Sequence, residues 1–187
     1  MAQKRLTPNS HPAATALETT LRLLYFLLAA GVFLADRLTK TLIESGMALN
    51  QTRSIIPGFF HIVHAKNQGI AFGLFADSPS AWKTFILVFL SSIALAGVAL
   101  LLWKSDPNAA RLSGGLALIL GGALGNLFDR VQYGSVVDFL DFFVQTYHWP
   151  AFNLADSAIV VGGALLLLHM SNHEKMASSE QVDSARQ

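Results

Sequence analysis

The sequence predicts an all-α, polytopic membrane protein with four transmembrane helices and a small β-sheet at the membrane surface. Of its 187 residues, 52% are hydrophobic and only 13% are charged, whereas about 25% of residues are charged in a typical soluble domain. Four long apolar stretches divide the chain, and each is long enough to cross a bilayer. The polar segment after the first stretch is rich in β-branched and aromatic residues, which favours short strands.

Charge and cysteine content narrow the classes of function. The formal net charge is +1, so the chain has no basic field that would recruit nucleic acid. The sequence contains no cysteine, which excludes disulfides, thiolate catalysis and cysteine metal sites. Neither property decides the cellular compartment.

The first spanning helix is predicted from Leu21 to about Ile43, after a flexible tail over residues 1–20. Its apolar start resembles the core of a signal peptide, but the continuation DRLTKTLI suits the end of a spanning helix. Asp36 and Lys40 are four residues apart and therefore share one face of this helix. The spacing leaves open whether they only pair with each other at the interface or face a functional site.

Residues 44–80 form a polar, β-prone segment. The stretch SIIPGFFHIVHAKNQGIAFGLF within it predicts two or three short strands, which would form a small sheet lying on the membrane surface. Asn67 is followed by Gly69 and Gly73, and glycines allow a backbone to approach a ligand closely. A plain turn explains the same residues.

Two histidines in this segment, His61 and His64, raise the question of a metal site. No Glu lies between them as in the zinc-protease motif, and no third ligand is near in the sequence. The pattern therefore does not favour a metal.

Three further helices complete the predicted bundle, over about residues 81–103, 112–128 and 153–170. Glycines in the third helix leave room for close packing against its neighbours. Residues 129–152 are predicted to be a loop, and residues 171–187 a flexible tail. Four spans place both termini on the same side of the membrane, but Lys and Arg are divided almost evenly and do not indicate which side.

Connectivity gathers the polar residues at one membrane face. The end of the first helix, the 44–80 segment, the end of the third helix and the start of the fourth all fall on the same side. Acids within or beside membrane helices are costly and mark functional sites by default. The alternative is that the acids only pair with Arg37, Lys40 and Arg130. The gathered residues are Asp36, Asn67, Asn126, Asp129, Arg130, Asp138, Asn153 and Asp156.

Two of the aspartates could form a hydrolytic pair. Asp138 lies in the apolar stretch SVVDFLDFF, where desolvation raises the pKa of a carboxyl and a second aspartate raises it further. Such a pair shares one proton and can activate water against a peptide carbonyl. Asp156, at the start of an apolar helix, is a natural partner, whereas the adjacent Arg130 suits Asp129 to a structural or substrate-holding role. Spacing alone does not decide between Asp138, Asp129 and Asp141.

Five sequence blocks together resemble the bacterial lipoprotein signal peptidase family, also called signal peptidase II. They are ADRLTK, NQGIAFG, GGALGNLFDR, VVDF and FNLADSAI, and the resemblance covers about residues 20–170. It implies a four-helix aspartic endopeptidase of the bacterial inner membrane, with an extracytoplasmic β-sheet and no metal or other cofactor. The implied substrates are diacylglyceryl-modified prolipoproteins, cut before the lipidated cysteine, and the implied inhibitor is globomycin. The family's topology implies cytoplasmic termini and an active site at the periplasmic face.

The resemblance also implies roles for particular residues. Asp138 in VVDF and Asp156 in FNLADSAI correspond to the catalytic dyad. The residues at positions that shape the site or bind substrate are Asp36, Lys40, Asn67, Gly69, Asn126, Asp129, Arg130, Asn153 and Ala155. Gln68 and Ile70 depart from many relatives, which leaves their roles unassigned.

A different class of function also uses membrane carboxylates. A small ion-coupled transporter would place them along a path for protons or cations. The polar residues of this chain are predicted at one membrane face rather than at the bilayer midplane, which favours the peptidase.

Overall fold

The computed structural model describes residues 12–69 and 81–184, which contain four long helices. Each includes a stretch that is long and apolar enough to cross a membrane. The helices are α1 (Pro12–Gly46), α2 (Ala81–Lys104), α3 (Ala110–Tyr133) and α4 (Leu154–Ser184). This confirms the predicted mostly helical fold with four spans.

Helix α3 is the centre of the bundle and contacts each of the other three helices. Its glycines allow this packing. A Cβ atom at Gly122 would lie 2.4 Å from the carbonyl oxygen of Ala155, and one at Gly115 would lie 2.8 Å from that of Gly162. Any side chain at these positions would push α3 and α4 apart.

A four-stranded antiparallel sheet adjoins the helices, in the order β1 (Thr52–Ile56), β2 (Phe60–Asn67), β3 (Val136–Val144) and β4 (Tyr147–His148). The first two strands lie in the predicted β-prone segment, whose residues 70–80, with Ile70 and Gly73, are outside the described part of the chain.

The second pair of strands corrects the prediction of a loop over residues 129–152. The stretch VVDFLDFFV consists largely of β-branched and aromatic residues, which fit a pleated surface. It forms β3 because β2 offers it an antiparallel partner, with Ala65 opposite Asp138.

The helices extend further than predicted. Helix α1 begins at Pro12 rather than Leu21, since proline suits the first helical position and no helix breaker follows it before the apolar run. Helix α4 continues from the predicted end near Met170 to Ser184, where a flexible tail was expected. The added residues include Glu, Lys, Met, Ala and Gln without Gly or Pro, a composition that supports a helix.

Candidate active site

The first turn of α4 is closed by a reciprocal capping box. The backbone N–H of Asp156 donates to Oδ1 of Asn153 at 2.9 Å, and the backbone N–H of Asn153 donates to Oδ2 of Asp156 at 3.2 Å. Each side chain thus satisfies a free N–H of the helix start. The exchange fixes the direction of the Asp156 carboxylate. The sequence signal for it is the N-x-x-D spacing, which by itself predicts only two residues on one face.

Asp138 lies on β3 and is 4% exposed. Its Oδ2 accepts a hydrogen bond from Nδ2 of Asn67 at 3.0 Å, and its Oδ1 accepts one from Nδ2 of Asn153 at 2.9 Å. Asn153 therefore contacts both Asp138 and Asp156. The two carboxylates, from a strand and from a helix, are therefore held by one residue, Asp138 by the side-chain amide of Asn153 and Asp156 by its backbone N–H.

Burial raises the pKa of Asp138 from 3.8 to about 6. The hydrogen bond from Asn67 opposes this shift, the negative charge of Asp156 adds to it, and the hydrogen bond from Asn153 and the charge of Lys40 oppose it. A carboxyl with this pKa changes its protonation state close to neutral pH, which suits it to acid–base chemistry.

Asp141 lies away from this pair. It is three residues from Asp138 on β3, and odd spacings on a strand point to opposite faces. Its carboxylate interacts with Nδ1 of His148 at 2.9 Å and with Nδ1 of His61 at 3.4 Å. His64 is buried, with Nδ1 2.9 Å from the carbonyl oxygen of Met47. Within the described residues, no group of His, Asp and Glu is arranged to hold a metal ion.

A buried layer of charges lies beside the pair. Nζ of Lys40 is 2.7 Å from Oδ2 of Asp36 and 2.8 Å from Oδ2 of Asp129, and all three side chains are fully buried. The same Nζ donates to Oδ1 of Asn126 at 3.0 Å. Asp36 and Lys40 therefore do both things that the sequence left open, because they pair with each other and also contact the site.

Arg37 completes this layer, although no sequence motif assigned it to the site. Its guanidinium pairs with Asp129 and lies over the rings of Phe128 and Tyr133, with centroids 4.9 and 5.5 Å away. Its spacing of three from Lys40 was a usable signal, since residues three apart share a helix face. Asp36 and Asp129 are thus paired with cations, which agrees for these two acids with the alternative prediction that the acids of this face only form ion pairs. Among the described ion pairs none involves Asp138 or Asp156.

The remaining predicted residues join the same site. Asn126 donates from Nδ2 to Oδ1 of Asp156 at 2.8 Å. The backbone N–H of Ala155 donates to Oδ1 of Asp36 at 3.0 Å. Arg130 donates to the carbonyl oxygens of Asn126 and Gly69 at 3.2 and 3.3 Å. The structure therefore brings all eleven predicted residues together, while the neighbouring Gln68 is exposed.

Comparisons with known proteins agree on one family. The family model described as Signal peptidase (SPase) II matches residues 28–172. The lipoprotein signal peptidase of Solibacter usitatus is 48% identical over 151 residues, which are 81% of this chain and 92% of that protein. That of Geobacter sulfurreducens is 45% identical over 145 residues, 78% of this chain and 89% of the relative.

A solved bacterial membrane enzyme has the same fold. It superposes with a TM-score of 0.70 at 30% sequence identity, over 79% of this chain and 87% of its own. The residues that the family model matches include every residue of the site described above. The chain belongs to the signal peptidase II family.

Proposed function

We propose that this chain is an aspartic endopeptidase that removes signal peptides from diacylglyceryl-modified prolipoproteins by cleaving before the lipidated cysteine. The observation that carries the proposal is that Asn153 donates hydrogen bonds to both carboxylates, from its side-chain amide to Asp138 and from its backbone N–H to Asp156. The relatives' identity as lipoprotein signal peptidases supports the class of substrate.

In this mechanism the buried Asp138 carries the proton that the pair shares. Asp156, which is partly exposed, takes a proton from water while the water oxygen attacks the scissile carbonyl carbon. Asp138 gives its proton to the carbonyl oxygen at the same time. When the tetrahedral intermediate collapses, Asp156 donates its proton to the leaving nitrogen and Asp138 recovers one from the hydroxyl. The products are a new carboxyl terminus and a free amine, and both carboxyls regain their starting states.

The buried charges act in this proposal as positioning groups. Asp36, Lys40, Asp129 and Ala155 have no exposed surface, so they reach substrate only through other residues. Lys40 orients the amide of Asn126, and Asn126 in turn holds Asp156. The substrate-binding role that the resemblance implied for these four residues is thereby replaced with an indirect one.

Two partly exposed side chains, those of Asn67 and Arg130, remain for direct contact with the precursor. The buried Gly69 lies between them through hydrogen bonds to both. Asn126 and Asn153 are buried and hold the aspartates instead. Nε of Arg130 is buried and makes no hydrogen bond in the described part of the protein. A backbone carbonyl of the bound precursor would instead accept from the exposed part of the Arg130 side chain.

We place the protein in the bacterial inner membrane, with cytoplasmic termini and the active site at the periplasmic face. The site lies where α1 and α3 end and α4 begins, so it is close to the boundary between lipid and water. A precursor's lipid anchor can remain in the bilayer there while its peptide reaches the aspartates. Globomycin-type inhibitors would compete for the same position.

The test is cleavage of a diacylglyceryl-modified precursor by purified variants. Asp138→Asn and Asp156→Asn are expected to abolish turnover while the protein still folds, and Asp141→Asn is expected to retain most activity. Normal cleavage by Asp138→Asn together with an inactive Asp129→Asn would show that the dyad is assigned wrongly. A chelator is expected to have no effect, and inhibition by one would indicate a metal enzyme.

A further inference from the structure

The end of the sheet farthest from Asp138 carries a cluster of exposed apolar side chains, which we call the sheet tip. Their exposed fractions run from 47% for Phe59 to 71% for Tyr147. Soluble surfaces rarely show so many large apolar groups side by side. The members are Ile55, Ile56, Phe59, Val144, Tyr147 and Trp149.

Backbone hydrogen bonds join the members into one surface. The turn between β1 and β2 lies beside β3, because the N–H of Phe143 donates to the carbonyl oxygen of Phe59 at 2.9 Å. The segment after β4 lies on the other side, because the N–H of Trp149 donates to the carbonyl oxygen of Phe142 at 2.8 Å. The two hairpin ends therefore form a single edge.

Stacked aromatic rings hold this edge rigid. Phe142 stacks on Phe60 with centroids 4.6 Å apart and on Phe152 at 5.8 Å, and it meets Phe59 edge to face at 5.5 Å. The exposed side chains thus project from a fixed platform rather than from a loose loop. A surface of this kind is presented to a partner without a large entropic cost.

The electrostatics of the tip favour lipid as the partner. Within strands β1 to β4 the only acid near it is Asp141, which is buried between His61 and His148. No exposed carboxylate of these strands would therefore have to be desolvated. Trp and Tyr are the residues that concentrate at the boundary between hydrocarbon and water. The sheet is also tethered to the bilayer, since β1 begins six positions after the end of α1 at Gly46.

We propose that the sheet tip is a membrane contact surface whose side chains insert into the interfacial layer of the lipid leaflet on the site's side. The lipid contact itself is independent of the catalytic proposal. One consequence rests on the proposed function: insertion would hold β3, and with it Asp138, at a constant height relative to a lipid-anchored substrate.

The experiment uses Trp149 as the reporter of depth. The chain contains three tryptophans, so Trp82→Phe and Trp103→Phe together leave Trp149 as the only one. This variant is reconstituted in phosphatidylcholine vesicles whose acyl chains carry bromine either near the headgroup or near the bilayer centre. We expect lipids brominated near the headgroup to quench most of the Trp149 fluorescence. Lipids brominated near the bilayer centre are expected to quench less of it, and aqueous acrylamide little.

Two outcomes would overturn the proposal. Full quenching by acrylamide with no effect of either brominated lipid would place the tip in water. Protection from all three quenchers, lost when the protein is diluted into more lipid, would show that a second copy covers the tip. A further variant with Ile55→Ser, Ile56→Ser and Phe59→Ser is expected to make Trp149 more accessible to acrylamide, while an unchanged circular dichroism spectrum confirms the fold.

Discussion

Lys40 and Asp156 are connected through a single side chain, that of Asn126. Oδ1 of Asn126 accepts from the Lys40 ammonium at 3.0 Å, and Nδ2 of the same amide donates to Oδ1 of Asp156 at 2.8 Å. An amide has its acceptor on one side and its donor on the other. The ammonium, together with Nδ2 of Asn153, which donates to the same Oδ1 at 3.2 Å, therefore orients a donor, and not an acceptor, toward the proposed catalytic carboxylate.

This relationship predicts the effect of Lys40→Met. Without the ammonium, Oδ1 of Asn126 keeps only its hydrogen bond from Nδ2 of Asn153, and among the described ion pairs of Asp36 and Asp129 only that between Arg37 and Asp129 remains. We expect kcat to fall at least tenfold, which corresponds to about 1.4 kcal/mol. We also expect the free energy of unfolding to fall by about 3–5 kcal/mol, because a buried charge loses its partner. Both are measured on the purified protein, by precursor cleavage and by thermal unfolding in detergent.

A second substitution distinguishes two possible roles of Lys40, which are to orient Asn126 and to neutralise the buried acids. In Lys40→Met combined with Asp36→Asn, the Arg37 and Asp129 pair remains neutral, and the amide introduced at position 36 keeps an oxygen to accept the N–H of Ala155. The double variant is expected to regain stability but not kcat. Recovery of both would mean that Lys40 only balances charge.

Asn153 gives a second prediction, because it has two separable roles. Its oxygen caps α4, and its NH₂ group contacts Asp138. Asn153→Ser keeps a cap acceptor but loses the NH₂ group, whereas Asn153→Ala loses both. Both variants are expected to be less stable than the wild type, because the NH₂ group also donates to Oδ1 of Asn126 and to the carbonyl oxygen of Val137. The serine variant is expected to be more stable than the alanine variant by about 1 kcal/mol, the contribution of the cap. Both are expected to lose most of the cleavage rate.

The comparison between the two variants is the control. If Asn153→Ser cleaves at the wild-type rate while Asn153→Ala does not, the residue contributes only through the helix cap. Equal loss of rate with unequal stability supports its role between the two aspartates.

The four membrane-spanning helices could be predicted from the sequence, because their apolar composition alone decides their structure. Long apolar stretches have one stable arrangement in lipid, since helices satisfy their own backbone groups. The β3 strand could not be placed because its partner β2 lies far away in the sequence. The ends of α1 and α4 were missed because helix formers outside the apolar runs carry no hydrophobic period.

The sequence was enough to predict which residues of the site lie close together. It was not enough to predict which hydrogen bonds and ion pairs each of them makes. Four spans are enough to bring Asp138 and Asp156 to one face. The spacing of Asp36 and Lys40 showed a pair, but not that Nζ of Lys40 also reaches Asn126. Contacts of that kind depend on how closely α1 and α3 approach, and this distance is set by small residues whose partners are known only from the folded structure.

Gly125 tests that close approach. A Cβ atom there would lie 2.5 Å from Oδ2 of Asp36, which is too near for the carboxylate to keep its contact with Lys40. Gly125→Ala is therefore expected to lower both the unfolding temperature and the cleavage rate. In the same helix, a Cβ atom at Gly114 would meet no atom of the described residues within 4 Å. Gly114→Ala is expected to be neutral or to stabilise α3 by up to about 1 kcal/mol. Similar behaviour of the two variants would contradict the packing described here.

The raised pKa of Asp138 makes a prediction about stability. Because the folded protein holds the proton up to about pH 6 and the unfolded chain only to about 3.8, the native state binds more protons between these values. Compared with a protein that has a non-titrating side chain at position 138, the free energy of unfolding must therefore fall as the pH rises through that window, by about 3 kcal/mol in total.

Asp138→Asn removes this titration and leaves every other group in place. The unfolding temperature of the variant minus that of the wild type is expected to rise between pH 4 and pH 7 and to stay level above that. The loss of one hydrogen bond to Asn67 or Asn153 shifts the whole curve down but does not change its slope. Thermal unfolding of both proteins in detergent across this range provides the measurement. Parallel curves would show that burial does not raise the pKa of Asp138, and the assignment of the shared proton to this residue would fail with it.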